Sequence, residues 1–176
     1  KKKLKLLNLQ NINFKELNNS TINLIDIKYD MSKTFSKRSI KSNKYILNCL
    51  KVSFDLVKKY KIKSFINGPI NKKNFLNKKY LGMTEFISEN FNVKKNAMLI
   101  FNKNLSVCPI TTHLPIKLVP NYINKKILYE KIDLIDNFYL TKFNKKPKIA
   151  ILGLNPHCES ILKYNEDEKI IKPAVK

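Results

Sequence analysis

Arginine is nearly absent from this strongly basic chain. Of 176 residues, 35 are lysine or arginine and 13 are aspartate or glutamate, which gives a formal net charge of +22. Arg38 is the only arginine. Proteins that read bases or clamp phosphates favour the bidentate arginine fork, and the lysines here are scattered along the whole chain. The sequence therefore argues against a specific nucleic-acid binder, although weak sticking to polyanions is expected.

Long apolar runs are absent as well. Hydrophobic residues make up 43% of the chain, which is enough for a core. No apolar run could span a bilayer, and no basic-then-apolar leader begins the chain. We therefore expect a cytoplasmic protein without membrane contact. The chain does not begin with methionine, and residues 172–176 stop without a terminating element, so we expect both ends to be cut.

Cysteine motifs and nucleotide-binding glycine motifs are also missing. Cys49, Cys108 and Cys158 are odd in number and share no C-x-x-C spacing. This argues against a disulfide framework or a cysteine zinc site. The chain has neither a Walker loop nor a G-x-G-x-x-G string, so the usual nucleotide-cradling fingerprints are absent.

Apolar periodicity and capping residues predict four helices. Apolar residues within 40–60 recur at steps of three and four, which puts them on one helical face. Thr84 can cap a short helix that runs to residue 91, and Asn124 can cap a long amphipathic helix. The acidic residues 166–168 suit the start of a last helix, which Pro173 would end.

Short apolar segments between these helices predict strands. They comprise the surroundings of Leu4 and residues 22–27, 62–66, 97–101, 105–110 and 148–152. The segment 148–152 is nearly pure apolar, which indicates a strand buried on both faces. Helices that alternate with short buried strands predict an α/β fold with a mainly parallel sheet flanked by helices.

The chain contains only two histidines, and both follow predicted strands. His113 comes after the strand 105–110, and His157 comes after the strand 148–152. Ligands bind at the carboxyl edge of open α/β sheets, where two imidazoles could share a divalent metal ion. A single histidine after a strand is more often an ordinary loop residue, but the pair favours a metal site. A third ligand would have to come from a carboxylate, another chain or a part of the protein outside this sequence.

Two further segments could contact an anionic substrate. In residues 68–72, GPINK, the glycine turn could present backbone N–H groups while Asn71 and Lys72 add polar and cationic contacts. The plainer interpretation is a strand-to-helix turn with surface lysines. Thr84 could likewise offer its hydroxyl to a phosphate, or serve only as a helix cap.

Four motifs in order resemble one family. They are GPINK at 68–72, GMTEF at 82–86, TTHLP at 111–115 and GLNPH at 153–157. With these strings and the intervals between them, the chain resembles 4-hydroxythreonine-4-phosphate dehydrogenase from about Ser42 onward. Residues 1–38 carry little of the resemblance.

The resemblance implies a homodimer with a shared active site and a two-domain fold of the isocitrate and isopropylmalate dehydrogenase kind. Residues 1–78 and 79–176 would be parts of its two α/β domains. It implies NAD-dependent oxidation and decarboxylation of 4-phosphohydroxy-L-threonine to 3-amino-2-oxopropyl phosphate, in vitamin B6 (pyridoxal phosphate) biosynthesis. His113 and His157 would be two of three histidine ligands to zinc, magnesium, manganese or cobalt, and Thr84 a substrate-binding residue.

Some positions depart from the family pattern. Met83 stands where the family usually has histidine, and Cys158 and Glu159 follow the GLNPH motif where the family tends toward Ala-Gly. The third histidine ligand and most of the NAD site would lie beyond Lys176, so we expect the chain alone to be inactive. Met83 keeps open a paralogous dehydrogenase of another phosphorylated hydroxy acid, such as a four-carbon sugar-acid 4-phosphate. A non-catalytic, lysine-rich polyanion-binding protein is the other alternative.

Overall fold

The computed structural model describes residues 3–30, 39–71, 80, 82–159 and 161–175. The chain divides into two compact units, Lys1–Phe75 and Leu76–Lys176. The division into two domain parts near residue 78 stays a prediction. No helix in the described part of the chain is long and apolar enough to cross a membrane.

The first unit contains a parallel pair of strands. Strand β1 spans Lys3–Leu6 and strand β2 spans Thr21–Leu24, with Lys3 opposite Thr21. A single 3₁₀ turn, Phe14–Glu16, lies between them in the sequence. The two strands expected in this region are confirmed, although β2 ends earlier than the apolar pattern predicted.

Helix α1 spans Ile40–Lys59 in the first unit. Ser39 and Ser42 cap its start reciprocally through their side chains and backbone N–H groups, which satisfies two donors that a helix end leaves unpaired. Leu50 and Phe54 are buried on its apolar face. This helix confirms the periodicity found over residues 40–60.

The second unit contains the other α- and π-helical elements among the described residues. They are α2 (Met83–Asn90), α3 (Val119–Tyr122), α4 (Lys125–Phe143), a π-helical turn (Asp167–Ile171) and α5 (Lys172–Val175). Helix α4 begins at the predicted cap, since the side chain of Asn124 accepts a hydrogen bond from the Ile127 N–H at 3.0 Å. Its fully buried Leu128 packs with Ile171 and Ala174 in a small core.

Two helix predictions were wrong in detail. Gly82, not Thr84, is the N-cap of α2, so Thr84 lies inside the first turn. The last helix also continues through Pro173 to Val175. The Lys172 N–H donates to the Asp167 carbonyl oxygen, five residues back, so the helix is widened immediately before the proline.

The predicted strands at 62–66, 97–101, 105–110 and 148–152 do not form as strands. Among the described residues, these segments contain only an isolated antiparallel bridge between Ile100 and Val107. Leu152 is 85% exposed, so the segment 148–152 is not buried on both faces as predicted. An extended apolar segment becomes a strand only where another segment pairs with its backbone, and apolar patterning carries no information on that partner.

Candidate functional site

The loop of residues 153–157, called here the 153–157 loop, carries His157. The last residues of the loop belong to a 3₁₀ turn, Pro156–Cys158. In this turn the backbone of His157 (φ 58°) and of Cys158 (φ 57°) is left-handed. L-residues rarely adopt this conformation, and it persists where the surroundings hold it. The loop therefore needs contacts that fix its path.

Asp167 supplies these contacts. Its Oδ1 accepts the Leu154 N–H at 2.8 Å, and its Oδ2 accepts the Asn155 N–H at 3.0 Å and the Asn155 side-chain amide at 2.9 Å. Burial by itself raises the pKa of Asp167, but the hydrogen bonds from Leu154 and Asn155 and the charge of Lys172 lower the pKa overall. The carboxylate is therefore ionised, and only 1% of the residue is exposed.

Gly153 is the residue that lets the loop close on this carboxylate. A Cβ at Gly153 would stand 2.4 Å from Cys158 Sγ and 3.0 Å from Asp167 Oδ1. Both distances are shorter than ordinary van der Waals contact, so any side chain at this position would push the loop away from Asp167. The first residue of the GLNPH motif thus has a packing role.

The loop of residues 111–115, called here the 111–115 loop, carries His113. The imidazole Nε2 of His113 and the carboxylate Oε2 of Glu85 each lie 2.9 Å from the point where a Cβ on Gly82 would stand. The Thr112 hydroxyl donates to the other carboxylate oxygen, Glu85 Oε1, at 3.4 Å. Because Gly82 has no side chain, a nitrogen and an oxygen that can both ligate a metal pack against the backbone of this residue.

Glu85 Oε2 is buried and has no hydrogen-bond partner among the residues that the structure describes. A buried carboxyl oxygen without a hydrogen-bond partner is costly, and a cation beside it would remove that cost. Imidazole nitrogen and carboxylate oxygen are both ligands of divalent metals. The residues around Gly82 therefore fit a divalent cation.

The two histidines are not brought into a complete metal site. Within the described ranges, no group of three or more histidine, cysteine, aspartate or glutamate side chains is placed to hold an ion. His113 has Glu85 beside it, whereas the 153–157 loop carries His157 and is bound by Asp167. The shared metal site stays a prediction.

The predicted substrate contacts lie in different places. Met83 and Thr84 are partly buried in the first turn of α2, next to Gly82. Asn71 is exposed in the first unit, and Lys72 lies outside the described residues. The backbone of Gly68 is not left-handed, and residues 67–70 form no turn in the described structure, so the tight glycine turn expected at the GPINK motif is not found.

The roles of Glu85 and Asp167 are not evident from the sequence pattern. Both look like acids in the first turn of a helix, a common and solvated position. Glu85 contacts Thr112, which is 27 residues away in the sequence, and Asp167 contacts Leu154, which is 13 residues away. The available sequence signals were that Glu85 belongs to the GMTEF motif and that Asp167 lies ten residues after His157.

Comparison with known proteins places the chain in a family. The family model described as pyridoxal phosphate biosynthetic protein PdxA matches residues 1–176. The chain belongs to this family. It is 37% identical over 188 aligned residues to 4-hydroxythreonine-4-phosphate dehydrogenase of Sulfurihydrogenibium sp. (strain YO3AOP1), covering 99% of this chain and 57% of that protein. Its counterpart in Aquifex aeolicus is 42% identical over 65% of this chain and 37% of its own length.

Solved structures show the same fold. The crystal structure of 4-hydroxythreonine-4-phosphate dehydrogenase from Klebsiella pneumoniae matches with a TM-score of 0.76 and 24% identity, over 99% of this chain and 55% of that one. A putative 4-hydroxythreonine-4-phosphate dehydrogenase from Salmonella typhimurium matches equally well in TM-score, at 0.76, with 21% identity and cover of 99% and 54%. The predicted family and the predicted α/β fold, of the isocitrate and isopropylmalate dehydrogenase kind, are confirmed. The chain matches the Sulfurihydrogenibium protein along nearly all of its own residues, but it spans only about half of that protein's length.

Proposed function

We propose that the protein oxidises and decarboxylates 4-phosphohydroxy-L-threonine, with NAD and a divalent cation, in pyridoxal phosphate biosynthesis. The family and the names of the relatives support this proposal. The structural observation that carries it is the close packing around Gly82. There His113 Nε2 and Glu85 Oε2, which has no hydrogen-bond partner among the described residues, both pack against Gly82, two residues before Thr84, which the resemblance assigns to substrate binding.

The reaction has two steps. The secondary alcohol loses its proton and a hydride to become a ketone; the carboxyl group then leaves as carbon dioxide, its bonding electrons move toward the ketone, and the resulting enolate takes up a proton. When bound, a divalent cation supplies stabilisation of negative charge on that oxygen, and NAD supplies the hydride acceptor. His113 and His157 would hold the cation, which could be zinc, magnesium, manganese or cobalt.

Helix α2 offers a place for the substrate phosphate. Gly82 has no side chain to cap the helix, and we propose that the first N–H groups of α2 bind the anion together with the Thr84 hydroxyl in the same turn. Asn71 and Lys72 of the GPINK motif are proposed separately, from the sequence alone, as contacts to the anionic substrate. The product of the reaction would be 3-amino-2-oxopropyl phosphate.

The proposal also covers the oligomeric state of the protein and its cellular compartment. The resemblance implies a cytoplasmic homodimer whose active site is shared between subunits. The relatives are longer than this chain, which covers 57% of the Sulfurihydrogenibium protein. We therefore assign the activity to the full-length protein and expect none from residues 1–176 alone.

A second candidate is a paralogous dehydrogenase of another phosphorylated hydroxy acid. Met83 favours it, because a thioether in the first turn of α2 replaces the imidazole that the family usually places there. A thioether cannot donate a hydrogen bond to a substrate oxygen or carry a positive charge. Its presence should therefore change which phosphorylated acid is recognised.

NADH formation by the full-length protein distinguishes these functions. We expect turnover with 4-phosphohydroxy-L-threonine and little with a four-carbon sugar-acid 4-phosphate. The Met83→His variant should raise the first activity further, while the control Met98→His, outside α2, should not. The reverse preference would establish the paralogous function. No NADH from either substrate, together with polyanion binding that collapses with added salt, would favour the lysine-rich binding protein.

A further inference from the structure

Asp167 is a buried carboxylate to which the proposed chemistry assigns no part. It is 1% exposed, and its two oxygens accept three hydrogen bonds from Leu154 and Asn155 at 2.8–3.0 Å. A carboxylate is removed from water at a large cost unless its lone pairs are satisfied, and here the donors come from the 153–157 loop. Asp167 and the loop are therefore bound to each other closely.

Asp167 is itself held firmly. Its backbone N–H donates to the side-chain oxygen of Asn165 at 2.9 Å. It begins the π-helical turn whose other buried residue, Ile171, packs with Leu128 in the core of the second unit. Because this helical turn is packed in the core, the Asp167 carboxylate on it can hold the 153–157 loop in one conformation.

The bound part of the loop directly precedes the histidine. Leu154 and Asn155 are the second and third residues of GLNPH, and after Pro156 the chain enters the left-handed conformation at His157 and Cys158. Such a conformation is unfavourable for residues other than glycine, and the neighbouring contacts must select it. Two charged side chains, Asp167 and Glu166, accept from the Asn155 side chain, but Asp167 also accepts the backbone N–H groups of the loop. Leu154 adds a contact with the core.

We propose that Asp167 is a positioning residue, which holds the 153–157 loop so that His157 presents its imidazole to a divalent cation. The proposal rests on the proposed function, because it takes the cation-binding role of His157 from there. Groups that orient a metal ligand without touching the metal typically change affinity by about 10–100-fold when they are removed. The loss of the Asp167 carboxylate should fall in that range.

The experiment compares Asp167→Asn with Glu168→Gln in the full-length protein. Both substitutions remove one negative charge at adjacent positions, but Glu168 is exposed and contacts Lys172 rather than the loop. The affinity for added Co²⁺ is measured by calorimetry, and the imidazole resonances of the metal-free protein are measured by NMR. His113→Ala and His157→Ala identify the resonances of the two rings.

We expect Asp167→Asn to weaken Co²⁺ binding about 10–100-fold and to shift the His157 ring resonances, while the His113 resonances stay in place. Glu168→Gln should change neither quantity. Unchanged His157 resonances and unchanged affinity in a folded Asp167→Asn protein would overturn the proposal. An equal effect of Glu168→Gln would also overturn it, because charge alone would then be the cause.

A milder variant covers the case in which Asp167→Asn does not fold. Asn155→Ala removes only the side-chain amide that donates to Asp167 and Glu166, and it leaves both backbone hydrogen bonds. We expect a smaller shift of the His157 resonances in the same direction, and no shift would overturn the proposal. If the wild-type protein binds no Co²⁺, the proposed metal role fails separately, and the His157 resonances still decide whether Asp167 positions the ring.

Discussion

Replacing Gly153 by alanine tests how closely the 153–157 loop is packed. The new methyl group would stand 2.4 Å from Cys158 Sγ and 3.0 Å from Asp167 Oδ1. The first distance is about 1 Å shorter than an ordinary contact, and the second requires a shift of a fixed, hydrogen-bonded carboxylate. Overpacking of this kind typically costs about 1–3 kcal/mol, so we expect the free energy of unfolding to fall by about 2 kcal/mol.

Urea unfolding followed by circular dichroism measures this loss. Gly68→Ala is the matched control, because a Cβ there meets nothing within 4 Å and the backbone is not left-handed. It should leave stability unchanged or raise it by about 0.5 kcal/mol. In a Cys158→Ala background, Gly153→Ala should lose only about 1 kcal/mol, since the sulfur atom is gone while Asp167 remains. Equal stability of Gly153→Ala and Gly68→Ala would refute the packing described for the loop.

Three further predictions concern other parts of the second unit. Gly82→Ala should weaken Co²⁺ binding at least about 10-fold in calorimetry, because its methyl would stand 2.9 Å from both His113 Nε2 and Glu85 Oε2 and would displace them; unaltered binding would exclude these two atoms as cation ligands. Leu128→Ala should lower the free energy of unfolding by about 3 kcal/mol, since Leu128 is 1% exposed, and the loss should exceed that of Leu140→Ala, at 37% exposed. The pKa of Asp167 is lowered on folding, so its stabilising contribution is present above its ordinary pKa near 3.8 and disappears as the pH falls through the lower folded value. Acid unfolding should therefore be less steep in Asp167→Asn, and an identical acid profile would contradict the assignment.

Local sequence signals predicted the long helices and the approximate positions of strands β1 and β2. Helix α4 has both a cap, Asn124, and an apolar face that includes Leu128, so two independent signals agree. Helix α1 is long enough for its periodicity to be clear over residues 40–60. Where a helix end depended on one residue, as at Thr84 or Pro173, the prediction failed because neighbouring backbone geometry decides the boundary.

Strands and site geometry depend on distant partners, which the sequence pattern does not supply. The segment 148–152 is apolar enough for a buried strand, yet Leu152 is 85% exposed in the described structure. Both histidine motifs could be recognised from their residues. The carboxylates beside them could not, because Glu85 and Asp167 acquire their roles from contacts made across many residues of chain.

Chelator-sensitive turnover tests the central claim most directly. NADH formation from 4-phosphohydroxy-L-threonine is measured with the full-length protein, with and without a chelator, beside His113→Ala and His157→Ala. We expect the chelator to abolish turnover, added divalent metal to restore it, and each histidine variant to lose at least about 100-fold in kcat/KM while its thermal unfolding stays cooperative. Turnover that persists in the chelator and in both folded variants would contradict the assignment of these histidines to a divalent cation.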